Sequence, residues 1–338
     1  MPAECADLNI LGSNSFLGGN VDDEGKPTIA VCGVGGAGCN TINRLMRMGV
    51  GKAELLAFNT DRKHLNLVGE GAKRVLIGYT ITRGLGAGGF PEVAEKAAQA
   101  SRKAIGEALG NFDLVFITCG MGGGTGTGAA PVIAEIAKEK GAIAVAFATY
   151  PFAMERARLA KARAGIERMK KSADTVVLID NNRLVDYAPN LPIEKSFELL
   201  DEIMAKAVRG ISKTILEPSL LNLDYMDVKA VVENGGISMI AVGEAAGVGR
   251  VEDLVNNTLK NRLLDVDIEG SRGVLLHLTG GSDLTLGDAT RAGELLTEKA
   301  DPDANVIYGA RMEEDFRGKI EAMAIFTGLK APYSLGKR

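Results

Sequence analysis

Between residues 114 and 131 the chain reads LVFITCGMGGGTGTGAAP. The apolar and β-branched run at its start predicts a buried strand over 114–119, and we expect a helix over 125–140. Five of the seven residues in 122–128, at the turn between them, are glycine. A glycine-rich turn lets backbone N–H groups approach an anion closely, and the N-terminus of the next helix favours negative charge. This stretch therefore predicts an anion-binding turn at the end of a strand.

A second glycine cluster, GVGGAGCN over 33–40, follows another expected strand in the same way. Gly33, Gly35 and Gly38 satisfy the pattern GxGxxG, and Asp61 lies 23 residues after Gly38. In dinucleotide-binding proteins an acidic residue at such a distance contacts the ribose. This cluster alone would favour a nicotinamide-dependent oxidoreductase, and that class stays open as an alternative.

A third cluster, GLGAGG over 84–89, precedes Pro91 and a further expected helix. Two anion-binding turns and a loop at one edge of a sheet suit a triphosphate, which carries more charge than a pyrophosphate bridge. The chain contains no GxxxxGK[ST] pattern, so a P-loop is excluded. The three clusters together favour a nucleoside triphosphate.

The first half of the chain predicts an α/β fold with a doubly wound parallel sheet, because continuous apolar strands alternate with helices. The strands are expected at 29–32, 55–58, 74–77, 114–119, 142–148 and 175–179, with helices that include 91–109 and 125–140. One long amphipathic helix follows at 193–216, and its 24 residues would span about 36 Å.

Beyond the long helix the pattern changes to a smaller α+β domain with a mixed sheet. Its strands are expected at 237–243, 273–279, 305–310 and 319–326, and its helices at 250–263 and 287–300. The last two strands are separated by a short charged turn, which predicts that they pair as a hairpin.

Composition excludes several classes of protein. Of 338 residues 46% are hydrophobic and 24% charged, with a net charge of −4, which excludes a disordered chain and an electrostatic nucleic-acid binder. The basic stretch 155–171 lacks interleaved aromatic residues, so it predicts a solvated helix face. No apolar run is long enough to cross a membrane. The four cysteines (Cys5, Cys32, Cys39 and Cys119) lack metal-ligand spacing, and we expect them to be packing residues in a reducing cytoplasm.

The run GGGTGTG at 122–128 carries a family resemblance. GVGGAGCN, AFNTD, GLGAGG, PFAMERAR and NLDYMDV accompany it in the family's order over about 28–328. The chain resembles the FtsZ family, the prokaryotic cell-division GTPases of the tubulin superfamily. The resemblance implies a GTP-binding domain (27–192), a central helix (193–217) and a C-terminal domain (218–330). Residues 1–26 have little periodic apolar pattern and predict a flexible leader, and residues 331–338 are expected to form a short tail.

The resemblance also implies a set of nucleotide contacts. The first phosphate loop would contain Gly36, Ala37, Gly38 and Asn40. The loop facing the γ-phosphate would contain Ala87, Gly88 and Gly89. The α/β-phosphate loop would contain Gly122, Gly123, Gly124, Thr125, Gly126 and Thr127. The ribose side would have Glu155 and Arg158, and the guanine Asn181, Asp201 and Phe197; Gly35 and Asp61 complete the expected site. A carboxylate such as Asp201 can accept hydrogen bonds from guanine N1–H and its 2-amino group, whereas adenine offers an acceptor at N1.

The acidic segment after the long helix bears on mechanism. Asp224 and Asp227 would ordinarily be read as a helix cap. If Asp201 contacts the base, however, the helix carries the chain to the opposite pole, so these acids can act only on the nucleotide of another subunit. Such a contact is head-to-tail and propagates as a filament. The resemblance implies the same arrangement, with Asn222 beside the two acids.

The expected cofactors are GTP or GDP and Mg²⁺ bound to the phosphates, mainly with water as the other ligands. The expected partners are further copies of the chain and adaptor proteins of a division ring at mid-cell in the cytoplasm, with no nucleic acid and only indirect contact with the membrane.

Several positions depart from the family pattern and suggest a divergent, archaeal-type paralogue; they are Cys39, Phe90, Arg156, Asp180, Asn182 and Ser219. They leave open a tubulin-like scaffold that binds GTP and barely hydrolyses it. The oxidoreductase alternative is disfavoured, because the glycine turn at 122–128 has no role in it and no acid/base pair for hydride transfer is evident.

Overall fold

The computed structural model describes residues 27–183, 190, 192–216, 225–233, 235–260 and 267–330. The expected leader (1–26) and tail (331–338) lie outside these residues, as do Cys5, Ser219, Asn222 and Asp224.

One mixed sheet of ten strands organises the described chain. In chain order the strands are β1 (Ile29–Val34), β2 (Glu54–Asn59), β3 (Lys73–Leu76), β4 (Leu114–Gly120), β5 (Ile143–Tyr150), β6 (Thr175–Asp180), β7 (Gly236–Ala246), β8 (Gly273–Gly280), β9 (Asn305–Met312) and β10 (Lys319–Leu329). Their order across the sheet is β3-β2-β1-β4-β5-β6-β7-β10-β8-β9. The pairs from β3 to β7 are parallel, β10 runs antiparallel to both of its neighbours, and β8 and β9 are parallel. The predicted parallel first half and mixed second half are therefore confirmed.

Helices cover both faces of this sheet. They are α1 (Gly35–Met48), α2 (Arg62–Leu65), α3 (Tyr79–Thr82), α4 (Pro91–Ala100), α5 (Arg102–Leu109), α6 (Thr125–Glu139), α7 (Arg156–Ser172), α8 (Ile193–Leu216), α9 (Tyr225–Val232), α10 (Arg250–Lys260) and α11 (Leu286–Thr297). One apolar core lies between the sheet and α4, α6, α7, α10 and α11, and a second lies on the opposite face beneath α1, α8 and α9. Strands such as β1 are consequently buried along their whole length.

The central helix α8 contains 24 residues, as its apolar spacing predicts. Ala205, Val208 and Ile211 are buried against the sheet. Toward the C-terminal strands, Lys206 Nζ lies 3.0 Å from Glu321 Oε2 on β10. The helix therefore contacts both halves of the sheet.

The predicted hairpin between 305–310 and 319–326 is wrong. β10 lies between β7 and β8, whereas β9 is the edge strand and pairs with β8. The burial of the two strands agrees with this order: β10 is buried along most of its length, but Asn305, Val306 and Tyr308 of β9 are exposed. The more apolar strand occupies the interior of the sheet.

The single helix expected over 91–109 is also wrong, because it divides at Ser101 into α4 and α5. The backbone N–H of Ser101 bonds to the carbonyls of both Ala97 and Ala98, a tightened last turn. Its hydroxyl oxygen accepts a 2.7 Å hydrogen bond from Gly78 N. This long-range contact fixes the break.

Candidate nucleotide site

The first two glycine clusters meet at the carboxyl ends of neighbouring strands. β1 and β4 pair in parallel with Val34 opposite Cys119, so the turns after them lie side by side. Gly35 has a φ of 75°, and a β-carbon there would lie 2.8 Å from the backbone nitrogen of Gly126. Only glycine permits this approach. The N-termini of α1 and α6 are thereby brought together, with Gly36 and Ala37 exposed.

The third cluster joins them at the same edge. Leu85 forms an isolated bridge with Asp61, and Gly86 N donates a 3.1 Å hydrogen bond to Thr60 O. The hydroxyls of Thr60 and Thr125 are 2.8 Å apart. A β-carbon at Gly124 would lie 2.9 Å from that of Ala87. All three glycine clusters therefore surround one place, which the order of the strands predicts.

Asp61 has a local structural role at this edge. Its Oδ1 accepts a 3.1 Å hydrogen bond from His64 N and so caps α2, and its own N–H donates to Asn59 Oδ1 at 3.1 Å. The dinucleotide interpretation expected this carboxylate to contact a ribose. That interpretation is disfavoured because the carboxylate caps α2 and because the glycine turn at 122–128 has no role in it.

His64 was not among the predicted site residues. A β-carbon at Gly36 would lie 3.6 Å from His64 Nε2, so the ring lies against the glycine turn at 33–40. Its Nδ1 is buried and has no hydrogen-bond partner among the residues that the structure describes. The signal available in the sequence was the position of this histidine, three residues after the end of the AFNTD motif.

At the other end of the site, three expected guanine contacts come from two elements. Asp201 and Phe197 lie on α8, and Asn181 directly follows β6. Asn181 is only 7% exposed, and its Oδ1 has no partner among the described residues. Phe197 remains 43% exposed and meets Phe152 edge to face, with ring centroids 5.7 Å apart. A buried amide oxygen without a partner and an open ring suit a polar, planar ligand.

The surroundings of Asp201 shift the pKa of its carboxyl group. Burial raises the pKa of its carboxyl to about 6, while a hydrogen bond from Thr41 Oγ1, 2.7 Å long, acts in the opposite direction. Thr41 was not among the predicted site residues, since it is 160 positions away in sequence. A carboxylate held in a water-poor place gains most from a ligand that brings hydrogen-bond donors.

Glu155 and Arg158 form an ion pair beside the glycine turn at 122–128. Glu155 Oε1 also accepts a 3.1 Å hydrogen bond from Phe152 N. A β-carbon at Gly122 would lie 2.8 Å from that of Arg158, so the first turn of α7 packs on the glycine turn. The Arg158 side chain is 60% exposed and faces solvent at the rim of the site.

Asp227 lies at the opposite edge of the sheet. It belongs to the first turn of α9, whose Tyr225 hydroxyl donates a 3.1 Å hydrogen bond to Asp113 O. Asp113 directly precedes β4, and the glycine turn follows that strand, which is seven residues or about 23 Å long. Asp227 is thus separated from the glycine turns of its own chain by about the length of β4, as the length of the central helix predicts.

The described cysteines Cys32, Cys39 and Cys119 are buried free thiols, and burial raises the pKa of Cys39 to about 11. Among the residues with described structure, no group of three or more His, Cys, Asp or Glu side chains is placed to hold a metal ion. None of the described helices combines the length and apolar character needed to cross a bilayer.

Comparison with known proteins agrees with this architecture. The Tubulin/FtsZ family GTPase domain matches residues 28–189, and the FtsZ family C-terminal domain matches residues 236–330. The cell division protein FtsZ 2 of Methanocaldococcus jannaschii is 54% identical over 319 residues, or 94% of this chain and 84% of that protein. A structure of an FtsZ dimer from M. jannaschii has a TM-score of 0.86 at 44% identity and covers 90% of this chain and 89% of the other. CetZ1 from Haloferax volcanii shares the fold at 20% identity, with a TM-score of 0.78 and coverage of 90% and 94%. The chain belongs to the FtsZ family of tubulin-like cell-division GTPases.

Proposed function

We propose that this chain binds GTP where its three glycine clusters meet, assembles head to tail, and hydrolyses the nucleotide between successive copies. The observation that carries this proposal is the position of Asp227. The Tyr225–Asp113 hydrogen bond fixes α9 at the start of β4, and the glycine turn lies at the end of that strand. An acid on one pole and a triphosphate pocket on the other form a complete site only when two copies stack.

The phosphates would be held mainly by backbone N–H groups. The turns around Gly36 and Gly124 open α1 and α6, and helix N-termini attract anions. The loop of Ala87, Gly88 and Gly89 packs against Gly124 and would receive the terminal phosphate. Mg²⁺ would be held chiefly by phosphate oxygens and water, in keeping with the lack of an acidic cluster among the described residues. When bound, the ion would neutralise charge that develops on the transferred phosphoryl group.

The guanine would lie between α8 and the end of β6. Asp201 would accept hydrogen bonds from N1–H and the 2-amino group, Asn181 would use its buried amide, and Phe197 would stack on the ring. Glu155 and Arg158 stand at the rim, where the ribose would lie. An adenine ring would bring an acceptor to the Asp201 carboxylate and leave it unsatisfied, which supports specificity for guanine.

Hydrolysis would use Asp227 together with Asp224 and Asn222, which lie outside the described residues. These groups would orient and polarise the attacking water on the nucleotide of the neighbouring copy. Phosphoryl transfer depends mostly on such positioning and on charge stabilisation. A contact between two different faces of the same chain does not close on itself, so assembly continues as a filament. The dimeric FtsZ structure from M. jannaschii supports self-association within the family.

We further propose that the filaments form in the cytoplasm at the division ring, with adaptor proteins connecting them to the membrane. The support for this step is that the similar proteins are cell division proteins.

The dependence of GTPase rate on protein concentration tests the proposal. We expect the rate per chain to be very low at dilute concentrations and to rise above a threshold at which filaments form, because each site needs two copies. A rate per chain that stays constant across concentrations would contradict a shared site. Nucleotide released from the purified protein by denaturation, separated by chromatography, should be GTP or GDP and not a dinucleotide.

A further inference from the structure

Lys161 extends from α7 to the loop that would receive the terminal phosphate. Its Nζ donates a 2.7 Å hydrogen bond to Gly89 O, 72 residues earlier in the sequence. The same Nζ lies 5.3 Å from the centroid of the Phe90 ring, within the range of a cation–π contact. One side chain therefore holds two consecutive residues of the loop.

The loop is built to need such support. Gly88 and Gly89 both have positive φ, at 58° and 77°, and glycine backbone in this region is conformationally free. Gly88 and Gly89 are exposed, and Phe90 is 53% exposed. Phe90 folds over the loop, because a β-carbon at Gly88 would lie 3.4 Å from its ring. Lys161 stands over that ring and bonds to the adjacent carbonyl, which fixes the path of the turn.

The held segment is in direct contact with the phosphate-binding turn of α6. A β-carbon at Gly124 would lie 3.2 Å from the backbone nitrogens of both Gly89 and Phe90. A displacement of the loop would therefore alter the side of the site formed by Ala87, Gly88 and Gly89. Any effect of Lys161 on a bound nucleotide would then pass through these residues.

We infer that Lys161 is a positioning residue that holds the loop 84–90 in the conformation receiving the terminal phosphate, with Phe90 as its second point of contact. The inference rests on the proposed GTP-binding function. Because GDP lacks the terminal phosphate, loss of the Lys161 contacts weakens binding of the triphosphate more than binding of the diphosphate. A general disturbance of the fold would weaken the binding of both nucleotides equally.

The experiment compares the affinities for GTPγS and GDP, measured by competition against a fluorescent guanine nucleotide below the concentration of assembly. The variant Lys161→Met keeps the apolar stem without the charge, and we expect a Kd for GTPγS raised about tenfold and a Kd for GDP changed less than about twofold. Lys161→Arg keeps a cationic donor and should restore GTPγS affinity to within about threefold of the unsubstituted protein. Phe90→Leu should raise the Kd for GTPγS about threefold.

Lys170→Met is the matched control. Lys170 lies on the same helix, and its Nζ forms an ion pair with Glu167 Oε2 at 3.3 Å. It should leave both affinities unchanged. If Lys161→Met lowers the affinities for GTPγS and GDP equally, or lowers neither, the inference is overturned while the proposal of GTP binding stands. Failure of the unsubstituted protein to bind either nucleotide would instead overturn the proposed function, and the inference with it.

Discussion

Thr41 Oγ1 donates a 2.7 Å hydrogen bond to Asp201 Oδ1. The bond connects α1, which begins in the glycine turn at 33–40, to the central helix. The bond lowers the pKa of a carboxyl group that burial raises to about 6. A carboxylate in such a position costs free energy in the empty protein. Under the proposed function, the hydrogen-bond donors of a bound guanine would offset that cost.

Replacement of Asp201 by Asn should stabilise the free protein while it weakens GTP binding. Burial raises the Asp201 pKa from 3.8 to about 6, so the native state binds more protons than the unfolded state between these values. Stability is therefore lost as the pH rises from about 4 to about 6, and the loss, about 2–3 kcal/mol, stays constant above that range. Asp201→Asn removes this dependence. Thermal unfolding of the nucleotide-free proteins at pH 5 and pH 8 should show a larger advantage of the variant at pH 8, and an equal or smaller one would speak against the raised pKa.

The affinity for GTP should fall as the pH decreases through about 6, because protonated Asp201 accepts hydrogen bonds from guanine less well. Nucleotide phosphates titrate in the same range, so a second variant is needed to assign the effect. Thr41→Val removes a hydrogen bond that lowers the Asp201 pKa. It should move the midpoint of the affinity profile to higher pH. A midpoint that stays in place would assign the profile to the nucleotide alone.

The sequence predicts the strands and glycine turns of this fold well, because both depend on local composition. The buried run at 114–119 and the glycines after it specify a strand and a turn wherever they occur. The position of β10 was predicted wrongly because the choice of neighbour depends on the competition between β9 and β10 for the interior of the sheet. Only the burial of the folded sheet shows which of the two strands is more suited to it.

The site was predictable in outline for a similar reason, and its supporting contacts were not. Glycine clusters at strand ends are visible in the sequence, and parallel strands bring them together. Thr41 and Lys161 act over 160 and 72 positions, and nothing in their local sequence points to a partner. Such contacts depend on where α1, α7 and α8 finally pack.

The ion pair between Lys206 and Glu321 should stabilise the contact between the central helix and the C-terminal strands. Glu321 is 18% exposed and Lys206 35% exposed, at a separation of 3.0 Å. Lys206→Met would leave a largely buried carboxylate unpaired, at an expected cost of about 1–2 kcal/mol in the free energy of unfolding. Urea titration of the nucleotide-free protein measures this cost. The double variant Lys206→Met with Glu321→Leu should recover most of it, and a double variant as unstable as the single one would exclude the unpaired charge as the cause.

Removal of the Asp227 carboxylate should abolish hydrolysis and leave nucleotide binding unchanged. Asp227 lies in the first turn of α9, which contacts the start of β4, whereas the glycine turn follows the end of that strand. Asp227→Asn therefore does not alter the pocket of its own chain. We expect the GTPase rate above the assembly threshold to fall at least about a hundredfold, as for loss of a group that stabilises the transition state. Affinity for GTPγS at dilute concentrations should match that of the unsubstituted protein. The control is Asp253→Asn, a carboxylate in the first turn of α10, which should affect neither quantity.

Mixing two inactive variants tests whether the acid acts across the interface. Asp227→Asn retains its pocket, and Asp201→Ala, which should bind GTP poorly, retains its acid. In a head-to-tail filament the pocket of the first variant meets the Asp227 of the second, so a mixture has active interfaces that neither protein forms alone. The GTPase rate of an equal mixture should therefore exceed the sum of the separate rates. If Asp227 instead acted within its own chain, no chain in the mixture would hold both a working pocket and a working acid, and the rates would only add.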